Sequence, residues 1–426
     1  MLRARALELL PWLDHKRPAE VALYVPRHDN TDDEFDEALG LGGVVHGLLC
    51  GATGSGKSTE LRRLASRAGA LDHDAVVALL RLEDQCVPQA LSAPQVLFLI
   101  GVMGLHLAAA KGLDAPRERE DLAYAYEDII DATSTRVQVD ALVRDLRPQI
   151  IGEMPPSEAP PLALPGHGRA LEVNDPAVLR LAGTVNRCLT LGRRSRGGAP
   201  ITLFVDGLDK LDEPDRIEEV FGSGILALAE ASVIYAAPIA LRHGLMGQAS
   251  DAWFQLLVLG NFCVFQPEPD GAENPEGLVS MREVLRRRVH AAGLTPEQVF
   301  EGGLTPGGIA DELIAASGGI TRSLIRIVEA AVRRGVVRHP EREALTAEEV
   351  SYAISAQERR TLERLRPEHH EPLLRCWETR DAPGGPEGEA LLFGNLAHCY
   401  ANGFPWYRPT PLVLRFLRHR YPDRGW

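Results

Sequence analysis

The chain has 426 residues, enough for roughly two to four domains and a sizeable core. Apolar residues at 45% and charged residues at 25% are the proportions of an ordinary soluble protein. A net charge of −13 argues against a surface that coats nucleic acid or anionic membrane without specificity, and leaves room for one local basic patch.

Residues 1–40 read as a lead-in with helical beginnings and an acidic stretch, Asp32 to Glu37. Tyr24-Val25-Pro26-Arg27 lies just upstream of the first strand, where either adenine contact or plain packing is open to it. The first residues do not form a charged-then-apolar export segment. Six scattered cysteines, Cys50, Cys86, Cys188, Cys263, Cys376 and Cys399, predict reduced and mostly buried thiols rather than a disulfide framework or a zinc site. A cytoplasmic protein is the expectation.

Val44 to Cys50 is an apolar, strand-like run, and it leads into Gly51-Ala52-Thr53-Gly54-Ser55-Gly56-Lys57-Ser58-Thr59. This is the complete phosphate-binding-loop spacing of Gly, four residues, Gly-Lys-Ser, followed by an amphipathic helix from Glu60 to Ala65. Glycines without Cβ atoms let the backbone wrap a phosphate with its N–H groups pointing inward. The helix N-terminus behind them favours the anion. Lys57 is the candidate catalytic cation for the β- and γ-phosphates, and the Ser58 hydroxyl the candidate Mg²⁺ ligand. Gly51, Thr53, Gly54, Ser55, Gly56, Lys57, Ser58 and Thr59 are the expected nucleotide-binding residues of the loop.

Ala75 to Leu82 reads as a second buried strand, because continuous rather than alternating apolarity fits a parallel sheet covered on both faces. Helical patterns follow over roughly 90–112, 117–131 and 135–150. Val96 to Ala110 is the most lipid-like run, yet its 15 residues fall short of the roughly 20 needed to span a bilayer, so a buried helix is expected. Residues 152–168, with five prolines, read as a linker or surface insertion.

A helix near 175–192 leads to Ile201-Thr202-Leu203-Phe204-Val205-Asp206, an apolar strand ending in a carboxylate. Hydrolysis needs such a group near the metal, so Asp206 is the candidate second Mg²⁺ ligand. Asp209 is the candidate water-polarising carboxylate if the chain turns sharply at Gly207; a structural loop carboxylate is the alternative. Asp209-Lys210-Leu211-Asp212 superficially matches a guanine-reading motif, but it sits against the γ-phosphate position rather than at a base-binding edge. ATP is therefore expected rather than GTP. Further strands are expected at Val233 to Ile239 and within Gln255 to Gln266.

From about 275 to 366 the pattern is helical and rich in Arg and Ala. Residues 367–426 then read as a helix, a strand around Ala390 to Tyr400, an Asn402-Gly403 turn and an aromatic return strand, Phe404 to Tyr407. The expected architecture is α/β: a P-loop NTPase core of the doubly wound kind over 41–268, a helical lid over 269–366, and a C-terminal winged-helix-like module over 367–426.

The combination of the loop, Leu203 to Asp209, and Ser317-Gly318-Gly319-Ile320-Thr321-Arg322 resembles the STAND and origin-recognition-type branches of AAA+-like P-loop ATPases. Asp206-Gly207-Leu208-Asp209, in place of adjacent Asp-Glu, looks like the STAND pattern. The resemblance covers residues 20–366 well and the tail loosely. It implies that Arg322 is a lid arginine reporting on the γ-phosphate, a role that suits a non-titrating guanidinium fork. The strand in the sensor-1 place ends in Ala236-Ala237-Pro238, where that family has a polar residue. Arg242 is open to a role in trans, in cis, or neither.

The resemblance further implies a slow ATPase switch with Mg²⁺, ATP-promoted homo-oligomers and a partner protein. Stand-alone ATPases of this kind in bacteria often accompany effectors, including anti-phage systems. A DNA-engaging loader is the alternative. It would use the basic tail Arg408, Arg415, Arg418, His419, Arg420 and Arg424 with Trp406 and Tyr407 interleaved. A scaffold that binds ATP with little turnover is the third reading.

Overall fold

Strands whose residues are apolar on both sides are stable only where both faces are covered, and this is how the long apolar runs of this chain fold. In the computed structural model, β1 (His46–Gly51), β2 (Val76–Arg81), β4 (Ile201–Asp206) and β5 (Ser232–Pro238) are buried along nearly their whole length. With β3 (Gln149–Ile150) and β6 (Gln255–Leu259) they form a six-stranded sheet in the order β3-β2-β4-β5-β1-β6. β2, β4 and β5 run parallel, in a register that sets Arg81 against Asp206 at the ends of their strands. The structure describes residues 2–14, 21–27, 31–40, 43–72, 74–130, 139–153, 164, 171–211, 213–242, 250–268, 271–402 and 404–424. Most of the proline-rich 152–168 segment lies outside them.

The chain divides into two compact units. The first consists of Thr31–Cys50 and Glu60–Leu257, and the second of Met1–Asn30, Gly51–Thr59 and Val258–Trp426.

In the Thr31–Cys50 and Glu60–Leu257 unit, the acidic stretch forms the helix Thr31–Gly40, with Asp32, Asp33 and Glu34 in the first turn, where the helix dipole favours them. Asp36 accepts from Arg67 Nε at 2.7 Å. The lipid-like run is the helix Ala93–Ala109, buried at nearly every position, and its His106 ring bonds the Val143 carbonyl at 3.0 Å. No helix among the described residues is long and apolar enough to cross a membrane. Of the helix expected over 135–150, residues 135–138 lie outside the described residues, Val139–Asp145 is helical, and Gln149–Ile150 instead pairs antiparallel with Ala78 and Leu79. Pro148 stops the helix, since it lacks an N–H and biases the residue before it away from helical angles.

The Ala93–Ala109 helix packs against Pro176–Ser195 at backbone distance. A Cβ added at Gly104 would lie 2.6 Å from the Cys188 carbonyl carbon and oxygen, which leaves no room for alanine. Gly104→Ala should therefore cost about 1–3 kcal/mol or more through overpacking. Gly183→Ala on the partner helix, with nothing within 4 Å of an added Cβ, should be neutral or slightly stabilising. Urea unfolding of the two variants checks this; equal midpoints would contradict the close packing.

In the other unit, the helices Pro275–Ala291, Ile309–Ser317, Thr321–Arg338 and Ala347–Leu362 bury one apolar face each, with Met281, Leu285, Leu313, Ile314, Val328 and Val350 in a shared core. The helix Leu2–Leu9 is part of this core through Leu2, Ala6 and Leu9. Inside it, Arg282 and Asp311 form a bidentate ion pair at 2.7 and 2.6 Å.

The tail contains the helices His370–Thr379, Gly385–Phe393 and Pro411–Arg420 around an antiparallel pair, β7 (Ala397–Asn402) and β8 (Phe404–Pro409). The strand expected from Ala390 begins only at Ala397. Residues up to Phe393 are helical, and Asn395, at φ 51°, turns the chain before β7. Gly403, the second residue of the expected turn, lies outside the described residues.

The aromatic interleaving read as a surface feature is core. Trp406 and Tyr407 are buried, Tyr400 stacks on Trp406 at 4.5 Å, and Phe404 is the exposed member at 92%. Arg408 is only 4% exposed, its guanidinium 3.8 Å over the Phe265 ring. Arg415 and Arg424 face carboxylates of Glu358 and of Glu371 and Glu378.

Candidate functional site

β1 ends at Gly51, and the helix Lys57–Leu71 begins six residues later, so the glycine-rich segment is a short strand-to-helix loop. Two of its glycines adopt the left-handed region, Gly54 at φ 87° and Gly56 at φ 112°, where a side chain is strained. Gly51 is small for another reason: a Cβ there would meet Ser55 Oγ at 2.9 Å and the Leu259 carbonyl at 3.0 Å. Ser55 N–H bonds the Ala52 carbonyl at 3.1 Å and Thr59 N–H the Gly56 carbonyl at 3.0 Å, which closes the loop on itself. Lys57 is buried, and its ammonium donates to the Gly51 and Ala52 carbonyls at 2.6 and 2.9 Å. Ser55 Oγ is buried and has no hydrogen-bond partner among the described residues.

A buried cation in a glycine cradle at a helix N-terminus, with an unsatisfied hydroxyl beside it, fits a phosphate group. Ser58 and Thr59, the first-turn residues after Lys57, carry the hydroxyls that such a group and its metal require.

Three segments distant in sequence hold this loop within its unit. Arg27 donates to the Ser55 and Gly260 carbonyls and lies 4.5 Å over the Phe262 ring. The Arg322 backbone N–H donates to the Gly54 carbonyl at 3.2 Å, and a Cβ on Gly54 would lie 2.6 Å from the Arg322 Cβ. Asn395 Nδ2 donates to the Thr53 carbonyl at 3.2 Å. Arg322, singled out from sequence, therefore sits against the loop. The Tyr24 to Arg27 segment contributes a guanidinium clamp on loop carbonyls, and Asn395 had no sequence signal at all. Arg322 is positioned by Gly318 and Gly319, at φ 60° and 78°: side chains there would collide with His398 and with the Phe262 carbonyl, respectively.

The acidic strand tip belongs to the other unit. Asp206 closes β4, buried, with Oδ2 3.9 Å from Arg81 Nε. Gly207 follows at φ 115°, the sharp turn that its glycine allows, and opens the short helical turn Leu208–Lys210. Asp209 is buried in that turn, with Oδ2 3.9 Å from Lys210 Nζ; the same ammonium lies 3.6 Å from Glu83. β5 ends in buried Ala236, Ala237 and Pro238, with no polar side chain at its tip. Arg242 ends the next turn, Ile239–Arg242, and is exposed.

Together these features define a mixed α/β protein with a mostly parallel six-stranded sheet and a glycine-cradled lysine at the head of a helix. No protein-family model matches the chain, and no curated protein is significantly similar to it.

Proposed function

We propose that the chain is an ATP-binding, slowly hydrolysing regulatory switch of the AAA+/STAND type, whose nucleotide state governs assembly with a partner protein. The observation that carries the reading is the loop itself: two left-handed glycines and a buried lysine opening a helix. In this reading the sheet is a doubly wound P-loop core, 269–366 a lid, and 367–426 a winged-helix-like module. Lys57 neutralises the β- and γ-phosphates, Ser58 and Asp206 hold Mg²⁺, Asp209 orients the attacking water, and Arg322 senses the terminal phosphate. The bound metal would supply charge neutralisation on the phosphoryl oxygens.

The apolar tip of β5 supports slow turnover, and it equally favours a second reading, a nucleotide-dependent scaffold with little hydrolysis. Burial of Trp406, Tyr407 and Arg408 weighs against the DNA-engaging alternative, which needs them at the surface.

Titration calorimetry of the full chain with ATP and Mg²⁺ tests the core of the proposal. Binding is expected for the native protein, and Lys57→Ala should weaken it by about 10- to 100-fold, the worth of a charged hydrogen-bond partner. A native protein indifferent to ATP, or a variant that binds equally well, would sink it. Phosphate release measured alongside separates switch from scaffold.

A further inference from the structure

Between the helix Thr321–Arg338, the end of the helix Ala347–Leu362 and the β7–β8 segment lies a cavity of about 210 Å³. Arg322, Arg326, Arg364, Gln357, Asn395 and His398 are among its walls, and no carboxylate lines it. Arg322 and Arg326 are four residues apart on one helix and so project from the same face. Among the described residues, none of the three arginines forms an ion pair. Burial depresses the proton affinity of Arg326, and the nearby charges of Arg322, Arg360 and Arg364 depress it further. Glu329, which is not among the lining residues, offsets this in part, so the positive charge at the cavity wall is concentrated and exceeds the negative charge near it.

The neutral walls are also incomplete. His398 is only 4% exposed, and its Nδ1, against Gly318, has no hydrogen bond of good geometry among the described residues. Burial and then the Arg408 charge hold its pKa down to about 3, so the ring is neutral and able to donate through either nitrogen. Asn395 Oδ1 is likewise buried without a partner among the described residues and can accept from a protonated phosphoryl oxygen.

We propose that this cavity is a second anion site, built for a small phosphoryl-class polyanion that is a separate molecule from any nucleotide on the glycine-rich loop. The guanidiniums of Arg326 and Arg364 suit the several oxygens of a di- or polyphosphate, and Arg322 borders both this cavity and the loop. At about 210 Å³ the cavity has room for several waters and hence for a diphosphate group. The lining supports a separate ligand: Thr53 is its one residue from the loop, while Ser55, Gly56, Lys57 and Ser58 are not part of it. The same Arg322 and Asn395 that line the cavity hold the Gly54 and Thr53 carbonyls. An anion seated here would therefore fix the loop from behind.

Inorganic pyrophosphate is the probe, titrated calorimetrically into the full chain, into Lys57→Ala, and into protein saturated with a non-hydrolysable ATP analogue and Mg²⁺. Binding should persist in all three and fall about tenfold or more in Arg326→Gln and in Arg364→Gln. Arg364 is exposed, so its variant tests the site without disturbing the core. Loss of pyrophosphate binding in Lys57→Ala or under the analogue would mean that it occupies the glycine-rich loop, and would overturn the proposal. Undiminished binding in both arginine variants would do the same. Should the analogue itself fail to bind, the ATP reading falls, while the native and Lys57→Ala titrations still decide this one.

Discussion

Asp206→Asn should lower ATP turnover by about 10²- to 10³-fold, the scale seen when one preorganised electrostatic group is removed from a reacting centre. Asparagine keeps the size of the side chain and one acceptor oxygen, so the strand end is preserved while the charge that would hold Mg²⁺ is lost. Arg81, 3.9 Å away and opposite in the register, then faces a neutral tip. Because the metal is the group addressed, the concentration of Mg²⁺ needed for half-maximal rate should rise in the same variant. Asp209→Asn provides the contrast: a comparable loss of turnover with the Mg²⁺ requirement unchanged, as expected of a residue that orients water. Steady-state phosphate release over a Mg²⁺ series measures both. Native metal dependence and rate in Asp206→Asn would remove it from the metal's coordination sphere.

The parts of the molecule legible in its sequence are those whose signal is local. β1, β2, β4 and β5 are found within a residue or two of their expected spans, because each is built around a continuous run of apolar residues. The turn after Asp206 was readable because only glycine adopts φ 115° without strain. The features that escaped depend on residues far apart in the chain. Arg27 and Asn395 hold the loop through backbone carbonyls, and a carbonyl carries no side-chain identity for a pattern to match. Gln149–Ile150 is a strand only because β2 offers an unpaired edge. Arg408 looked like a surface charge because the Phe265 and Trp377 rings that cover it come from other segments. Aromatic and basic residues in alternation are equally a nucleic-acid platform and a cation–π core, and tertiary contacts choose between them.

Asp311→Leu should cost about 3–5 kcal/mol of stability, the penalty for leaving one member of a buried ion pair uncompensated. Arg282 and Asp311 are 8% and 5% exposed, and their two hydrogen bonds are bidentate, so neither charge has ready access to water. Asp311 also accepts the Gly307 N–H at 2.7 Å and occupies the first turn of the helix Ile309–Ser317, where its charge complements the helix dipole. Once Asp311 is gone Arg282 keeps its charge, because a guanidinium does not deprotonate in proteins, and so it cannot escape the penalty by deprotonation. Arg282→Met alone should cost less, since the carboxylate it strands retains the Gly307 N–H and the helix end. The double replacement, Arg282→Met with Asp311→Leu, should recover to within about 1–2 kcal/mol of the native protein, because an apolar pair of similar volume needs no counter-charge. Trp12, Trp377 and Trp406 belong to this unit, so their fluorescence in urea follows its unfolding. A double variant no more stable than Asp311→Leu would show that the pair contributes through the Gly307 bond and the helix end rather than through mutual charge.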